Sequence, residues 1–388
     1  MQNTRIAILA HPCRTGGGLV GTQNFLRSLK NVAKDEIFLI VFSAGDGYEL
    51  IELPPQSEVF VYQGSHTFFD RLRFEIFTLP KIVAKFRPDV IIGMGNTGLI
   101  NPQVPQTIFI RQAKVFYEKK YHPHETFRNR LRLIFLKWQI AKSLPKTNIV
   151  FCQTPVVAKR FSKKFDYPVE QTRILKFPAP SELQISENHE KLVVTEGRLD
   201  SFRVLMLTNY GDHRNPHILI PLCRRFGTKL IKNKTKFITT IETDDHPKAK
   251  RFLKDIKKYN LTGIIDNVGR LSRKEVSEYY GKCHLLWLPT MLETLGVPYL
   301  EAMKAGVAIM APDLDFAHYV CGDTAVYYNP LDIEDMFNKL MFIRDNETVR
   351  RNLIEKGRKE LTNENKFSKN WDSLAAYVLC ELKSLVKC

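Results

Sequence analysis

Apolar residues in this chain gather into short continuous blocks, separated by longer stretches in which they recur every three or four positions. The blocks predict buried strands and the stretches amphipathic helices, and their alternation predicts parallel sheets. Strands are expected at Arg5 to Ala10, Ile37 to Phe42, Val59 to Tyr62, Val90 to Ile92, Thr107 to Ile110 and Ile149 to Cys152. A second series begins with Phe202 to Leu207 and continues through Phe237 to Ile241, the start of IIDNVGRLSRKEVSEYYGKC (264–283) and His284 to Leu288. Between the two series SELQISENHEKLVVTEGRLDS (181–201) is polar and acidic, which puts a domain boundary near 180 to 200. The expected organisation is a Rossmann-like domain over 1–185, a second over 200–365, and a terminal segment over 366–388. That last segment carries an amphipathic helix from about Asn370 to Leu385, with Trp371 near its start.

Chemistry should gather where strands run into loops, because sheets of this kind bind ligands at their carboxyl edge. In HPCRTGGGLVGTQNFLRSL the residues Gly16, Gly17 and Gly18 precede an amphipathic helix, giving strand, glycine-rich loop and helix in turn. The loop is neither a P-loop nor a GxGxxG fingerprint. Gly93, Gly95, Asn96 and Gly98 follow the strand at Val90 directly, as a ligand-edge loop or as a plain turn, and Gln112 follows the strand ending at Ile110. In the second series NYGDHRNPHILI places Asn209 and Arg214 ahead of a helix opened by Pro216. Gly269-Arg270-Leu271 ends another strand, and Ser272 with Glu275 forms a capping box.

The most informative stretch is LWLPTMLETLGVPYLEAMKAGVAIMAPDLDF. Pro289 stops a buried strand, and Gly296-Val297-Pro298 reads as a tight turn with proline at the first helical position. Thr294, Leu295 and Gly296 would then offer amides to an anion at a helix start. Glu301, read as lying on the first helical turn, suits a hydroxyl donor such as a ribose diol. Glu293, in the loop, would reach the far side of a diphosphate. Two such acids also describe a surface helix with a favourable N-terminal charge.

Composition narrows these readings. The 388 residues allow two domains, each with its own core, and 44% hydrophobic with 26% charged residues is a globular balance. No apolar run is long enough for a membrane span, and the N-terminus lacks a signal-peptide layout, so a cytoplasmic protein is expected. Seven cysteines form no CxxC pair, so neither a zinc site nor a disulfide framework is indicated. Asp313-Leu-Asp315 reads as a strand-end loop, and no metal site is expected. His11, His122 and His124 are the histidines placed to face a ligand, and no serine stands in a GxSxG elbow.

The net charge of +17 calls for an anionic partner. It is concentrated between residues 111 and 176, where RNRLRLIFLKWQIAKSL (128–144) reads as a helix with Phe127, Leu131, Ile134, Trp138 and Ala141 on one stripe and basic residues beside it. Either the stripe faces the core and the basic edge is solvated, or the helix meets an anionic membrane surface and the protein is peripheral at its inner face. No nucleic acid is expected, because the cluster lacks a module with interleaved stacking aromatics.

The stretch from Leu286 to Phe316 resembles the signature of the retaining glycosyltransferases of family 4, with an E-x7-E pair, Gly296, Pro298, Glu-Ala-Met at 301–303 and Gly306. FAHYVCGDTAVYYNPLD resembles the family's continuation, with Tyr319 where glutamate is common. The resemblance implies a GT-B fold: two Rossmann-like doubly wound α/β domains facing a deep cleft, with the C-terminal helix crossing back to the N-terminal domain. It implies transfer of a hexosyl-type sugar from a nucleotide diphosphate sugar to a glycan or lipid-linked acceptor. Glu293 and Arg214 would be catalytic, the latter where the family carries a phosphate-binding lysine, and the family's companion arginine is absent. Glu301, Thr294, Leu295, Gly296, Arg270 and Asn209 would bind the donor, and Gly17, Gly18, Gln112 and Asn96 would line the acceptor side. No cofactor or metal is expected, with Arg214 and the amides of Leu295 and Gly296 meeting the charge of the leaving diphosphate, and no protein base is needed, since the leaving phosphate takes the acceptor proton. The rivals are a nucleotide-sugar 2-epimerase of the same fold and a basic nucleic-acid-binding protein.

Overall fold

The computed structural model describes residues 3–64, 67–122, 125–180, 183 and 201–386. Most of the expected linker at 181–201, and His124, lie outside the described residues. The chain divides into two compact units, the first made of 1–117, 126–178 and 368–388, the second of 118–125 and 179–367.

The first unit is built on seven parallel strands: β1 (Arg5–Leu9), β2 (Ile37–Ser43), β3 (Ser57–Tyr62), β4 (Val90–Gly93), β5 (Gln106–Phe109), β6 (Ile149–Cys152) and β7 (Thr172–Ile174). Their order is β3-β2-β1-β4-β5-β6-β7. Ile6 of β1 lies opposite Phe38 on one side and Val90 on the other, and Ile6 to Leu9 are all buried, as a central parallel strand requires. β7 was not foreseen: it is a three-residue edge strand, Thr-Arg-Ile, only half-buried, and carries no apolar block. The helices are α1 (Gly16–Val32), α2 (Phe68–Arg73), α3 (Leu79–Phe86), α4 (Phe127–Ser143) and α5 (Pro155–Phe165), with a π-helical stretch, Phe74–Thr78, joining α2 to α3.

The second unit repeats the plan with β8 (Phe202–Met206), β9 (Thr235–Thr239), β10 (Ile265–Asn267), β11 (Leu285–Trp287), β12 (Ala308–Pro312) and β13 (Ala325–Tyr328), all parallel and ordered β10-β9-β8-β11-β12-β13. Its helices are α6 (Leu219–Lys232), α7 (Ala249–Lys258), α8 (Arg273–Tyr280), α9 (Val297–Ala305), α10 (Asp315–Cys321), α11 (Ile333–Asp345) and α12 (Glu347–Glu360). Trp287 is fully buried on β11, with the Phe237 ring 5.7 Å and the Tyr328 ring 6.2 Å away. In each sheet the winding reverses beside the first strand, between β1 and β4 and between β8 and β11. Neighbouring loops diverge at such a point, which opens a crevice at the carboxyl ends of those strands.

The final helix, α13 (Trp371–Val386), belongs to the first unit, where it packs on α1 and β4. Asn31 donates to Asp372, Lys383 pairs with Glu36, and Trp371 meets Phe177 edge-on at 5.1 Å. A crossing back is what the GT-B resemblance implied, and α13 makes it.

One sequence expectation fails here, and one pair of alternatives is decided. The glycines 16 to 18 form the first turn of α1 rather than a loop before it. The stripe on α4 does not face the core: Leu133, Gln139, Ile140 and Ser143 are buried instead, and Phe127, Leu131, Ile134, Trp138 and Ala141 are exposed. The helix carries apolar side chains on both faces, and periodicity on one of them could not reveal which one the rest of the unit would cover. Among the described residues no helix is long and apolar enough to cross a membrane.

Candidate functional site

The winding reversal of the second unit sets the loop after β8 beside the loop after β11. A backbone bond stitches them together, with Met291 N donating to His213 O at 2.7 Å. Arg214, at the end of the first loop, therefore stands near Glu293 in the second. Burial pushes the Glu293 carboxyl above its ordinary value, while the Arg214 charge and a 3.3 Å hydrogen bond from Thr290 pull it down. Arg214 Nη1 also donates to Thr208 Oγ1 at 3.2 Å, which fixes the guanidinium at the strand end. Asn209 is exposed on the same loop.

Gly296 is the hinge of the site. Its φ of 75° is left-handed, and a Cβ there would lie 2.8 Å from Tyr299 Cδ2, so both conformation and space demand glycine. It is the N-cap of α9, which starts at Val297 and puts Pro298 at its second position, one later than the sequence suggested. Among the described residues the amides of Leu295 and Gly296 donate to no protein acceptor. Thr294 is half-buried beside them. Unpaired amides at a helix start, on the loop whose Glu293 feels the Arg214 charge, can cradle an anion such as a diphosphate.

Glu301 is placed differently from its expected position on the first turn. It is the fifth residue of α9 and only 2% exposed. Its Oε1 accepts from Arg273 Nη1 at 2.8 Å and its Oε2 from Tyr280 Oη at 3.2 Å. Burial and the neighbouring Glu301 carboxylate push the Tyr280 phenol well above its ordinary value, so it stays a donor. Arg273 and Tyr280 escaped the sequence reading, although their spacing of seven on one helix puts them on a single face. The capping box of Ser272 and Glu275 forms as expected and orients that helix.

Arg270, a donor-binding candidate, lies just past the end of β10 with acidic neighbours. Its guanidinium is held by Asp244 at 3.2 Å and Asp245 at 3.3 Å, and its amide donates to Glu242 Oε1. Asp313 and Asp315 do not act as a pair: Asp313 bonds His318 at 2.6 Å, and Asp315 opens α10. Among the described residues no group of three His, Cys, Asp or Glu side chains could hold a metal.

In the first unit the structure joins the four remaining candidates through one residue that the sequence reading passed over. Asn96 Oδ1 accepts from the amides of Arg111 and Gln112, both at 2.7 Å, and Asn96 itself sits at φ 76°. Arg111 Nη1 donates to Gly18 O at 2.7 Å and reaches Gly17 O at 3.5 Å. Asn96 is thus a pin for the loop after β5. The glycines differ in kind: a Cβ on Gly93, Gly95 or Gly98 would clash with Thr97, Pro12 or Gln106, whereas one on Gly17 or Gly18 would meet nothing within 4 Å. Packing explains the former group and leaves the latter available to a ligand. His11 is buried against Glu75 at 3.2 Å, and His122 is buried outside this site.

Residues 189–360 match the family model described as Glycosyl transferases group 1. A stretch of 101 residues is 35% identical to sulfoquinovosyl transferase of Arabidopsis thaliana, covering 24% of this chain and 19% of that protein. The likeness therefore spans about a fifth of that relative's length. Over the whole chain the fold is similar to sucrose-phosphate synthase from Thermosynechococcus elongatus, with a TM-score of 0.76 at 14% identity, covering 99% of this chain and 100% of that one. It is also similar to Anabaena HepE in complex with UDP-glucose, with a TM-score of 0.70 at 15% identity, covering 98% and 100%. At such identities the likeness is one of fold, and the fold is GT-B.

Proposed function

We propose that this chain is a retaining glycosyltransferase of the family 4 type, moving a hexosyl-type sugar from a nucleotide diphosphate sugar to a glycan or lipid-linked acceptor. The observation that carries the reading is the stitched pair of loops in the second unit, which brings Arg214 and Glu293 to the unpartnered amides of Leu295 and Gly296. The family match over 189–360 covers this site. The UDP-glucose bound to HepE supports a nucleotide sugar as donor.

In this reading Arg214 and the two amides hold the diphosphate. The donor's C1–O bond breaks, its electron pair goes to the diphosphate, and the growing negative charge meets donors already in place. Each such donor is worth roughly 3 kcal/mol in the transition state. The acceptor oxygen bonds to C1 on the same face and its proton passes to a phosphate oxygen of the leaving group, so no protein base is required. Glu293 accepts from a hydroxyl of the sugar. Glu301 accepts from the ribose: a carboxylate offers roughly four acceptor positions, and Arg273 and Tyr280 use one on each oxygen. Charge neutralisation by Arg214 and the amides makes the reaction metal-independent, so full turnover should persist in EDTA. Strict dependence on Mg²⁺ or Mn²⁺ would sink that part of the reading.

The test of the whole is a thermal-shift panel of uridine and guanosine diphosphate sugars. A ligand that binds only the folded chain raises the melting temperature by stabilising that state, with the logarithm of its concentration over Kd, by about 2.7 kcal/mol at a hundred times Kd. A shift with one donor, lost in Glu301→Ala, supports the reading. No shift with any nucleotide sugar refutes it, and epimer formed from donor alone would make the chain an epimerase instead.

A further inference from the structure

The exposed face of α4 is apolar where a solvated helix should be polar. Phe127 is 76% exposed, Leu131 51%, Ile134 64% and Trp138 42%. Their spacing of four, three and four residues places them in one line along the helix. Trp138 is stacked on Phe135, with ring centroids 5.3 Å apart, which holds the indole in place. A monomer in water gains nothing from displaying such a line.

The flanks of the line are basic on both sides. Successive helical positions turn by about 100°, which sets Arg130 and Lys137 along one edge and Arg128 and Lys142 along the other. The helix contains no acidic residue. The basic field continues onto α5, where Lys159, Lys163 and Lys164 are exposed. Burial and then the nearby charge of Lys164 lower the pKa of Lys137, so the two helices present one positive surface. Opposite the line, Leu133, Ile140 and Ser143 are buried against the unit, and Gln139 Nε2 donates to Glu75 Oε2 at 2.6 Å. The helix is thus anchored by one face and offers the other.

We propose that α4 is a membrane-docking helix that lies in the interface of a bilayer rich in anionic lipid. The apolar line would enter the boundary between headgroups and acyl chains, and the flanking arginines and lysines would meet phosphate headgroups at its edges. Charge decides the occupant: a line of rings and branched side chains bordered by cations on both sides is complementary to a surface that is apolar below and anionic at its rim. An apolar groove on a protein partner would supply the first property without the second. The inference rests on the surface of α4 alone and stands whichever donor the second unit binds.

Full-length protein should co-sediment with vesicles of phosphatidylcholine containing phosphatidylglycerol and leave neutral phosphatidylcholine vesicles in solution at the same salt. Trp287 is fully buried and Trp371 is half-buried against Phe177, so a blue shift of tryptophan emission on adding anionic vesicles reports chiefly on the exposed Trp138. Trp138→Phe should keep vesicle binding and lose most of the shift. Ile134→Glu with Trp138→Glu should weaken binding by at least about tenfold with an unchanged melting temperature, since both side chains are exposed. Arg128→Gln with Arg130→Gln and Lys142→Gln, which leaves every apolar group in place, should cost about fivefold per charge. Failure of the wild type to bind anionic vesicles, equal binding to neutral ones, or undiminished binding by the doubly acidic variant would each overturn the proposal. So would a dimer in solution, without lipid binding, that the acidic variant dissolves, because a second copy would then cover the stripe.

Discussion

Arg214 and Glu293 act on each other across two loops. Burial already holds the Glu293 carboxyl above its ordinary value, and Arg214 is the charge that restrains it. Arg214→Ala should lower kcat/KM by about a hundredfold, near 3 kcal/mol, through loss of a preorganised phosphate contact. It should also move the acidic limb of the pH profile upward, because the ionised form of Glu293 loses its nearest cation. A lower rate with an unmoved limb would separate Glu293 from the reaction. The glycines give a second contrast. Gly296→Ala forces a left-handed backbone and a 2.8 Å approach to Tyr299, so the melting temperature should fall by roughly 4–8 °C, for a cost of about 2 kcal/mol. Gly17→Ala has open space on a helical turn, so stability should hold or rise by up to ~1 kcal/mol. Turnover should nonetheless drop if an acceptor approaches that backbone, and unchanged kinetics would remove Gly17 from the site. Both glutamates and Gly296 were legible in the sequence through one local string. Arg273, Tyr280 and Arg111 were not, since each matters only through a partner from another element.

At the scale of elements, the π-helical stretch between α2 and α3 carries a buried charge. Glu75 accepts from His11 at 3.2 Å, Arg71 at 2.7 Å and Gln139 at 2.6 Å. Burial alone would raise its pKa, but Arg71 and these hydrogen bonds bring it down to about 2. Burial keeps His11 neutral below its ordinary 6.5. Both groups have folded pKa values below their unfolded ones, so the unfolded chain takes up protons first as the pH drops. The His11 contribution is complete above pH 6.5 and declines below it, and the Glu75 contribution is complete above 4.5 and is lost as the pH falls towards 2. Glu75→Gln should cost on the order of 3 kcal/mol at neutral pH by leaving Arg71 without its buried partner. Urea melts at pH 5.0 and 3.5 should show a smaller fall in the variant than in the wild type, and equal falls would mean the network carries no charge. Strand positions were read from the sequence to within a few residues because parallel strands are buried on both faces. The orientation of α4 was not, because it has apolar side chains on both faces and only its tertiary packing selects one.

For the molecule as a whole, the chain returns at its C-terminus to the unit in which it began. Leu374, Val378, Leu379 and Leu382 of α13 are buried there, each worth about 1.5–3 kcal/mol, which together rivals the whole stability of a domain. Truncation before Ser368 should therefore yield insoluble protein or one whose first unit no longer melts cooperatively. A soluble, cooperatively melting product would show α13 to be an appendage. By itself the sequence determined the alternation that makes two parallel sheets, the glycine and proline that open α9, the acids around them, and a positive charge gathered in one region. These are local properties: burial period, turn geometry and charge density are written in neighbouring residues. Only the tertiary structure decided that Arg214 meets Glu293, that Glu301 is clasped by Arg273 and Tyr280, and that α4 turns its aromatic stripe outward. Those outcomes depend on which strands lie side by side where the winding reverses and which face of a helix the rest of its unit covers. Long-range packing sets both, and no spacing along the chain encodes them.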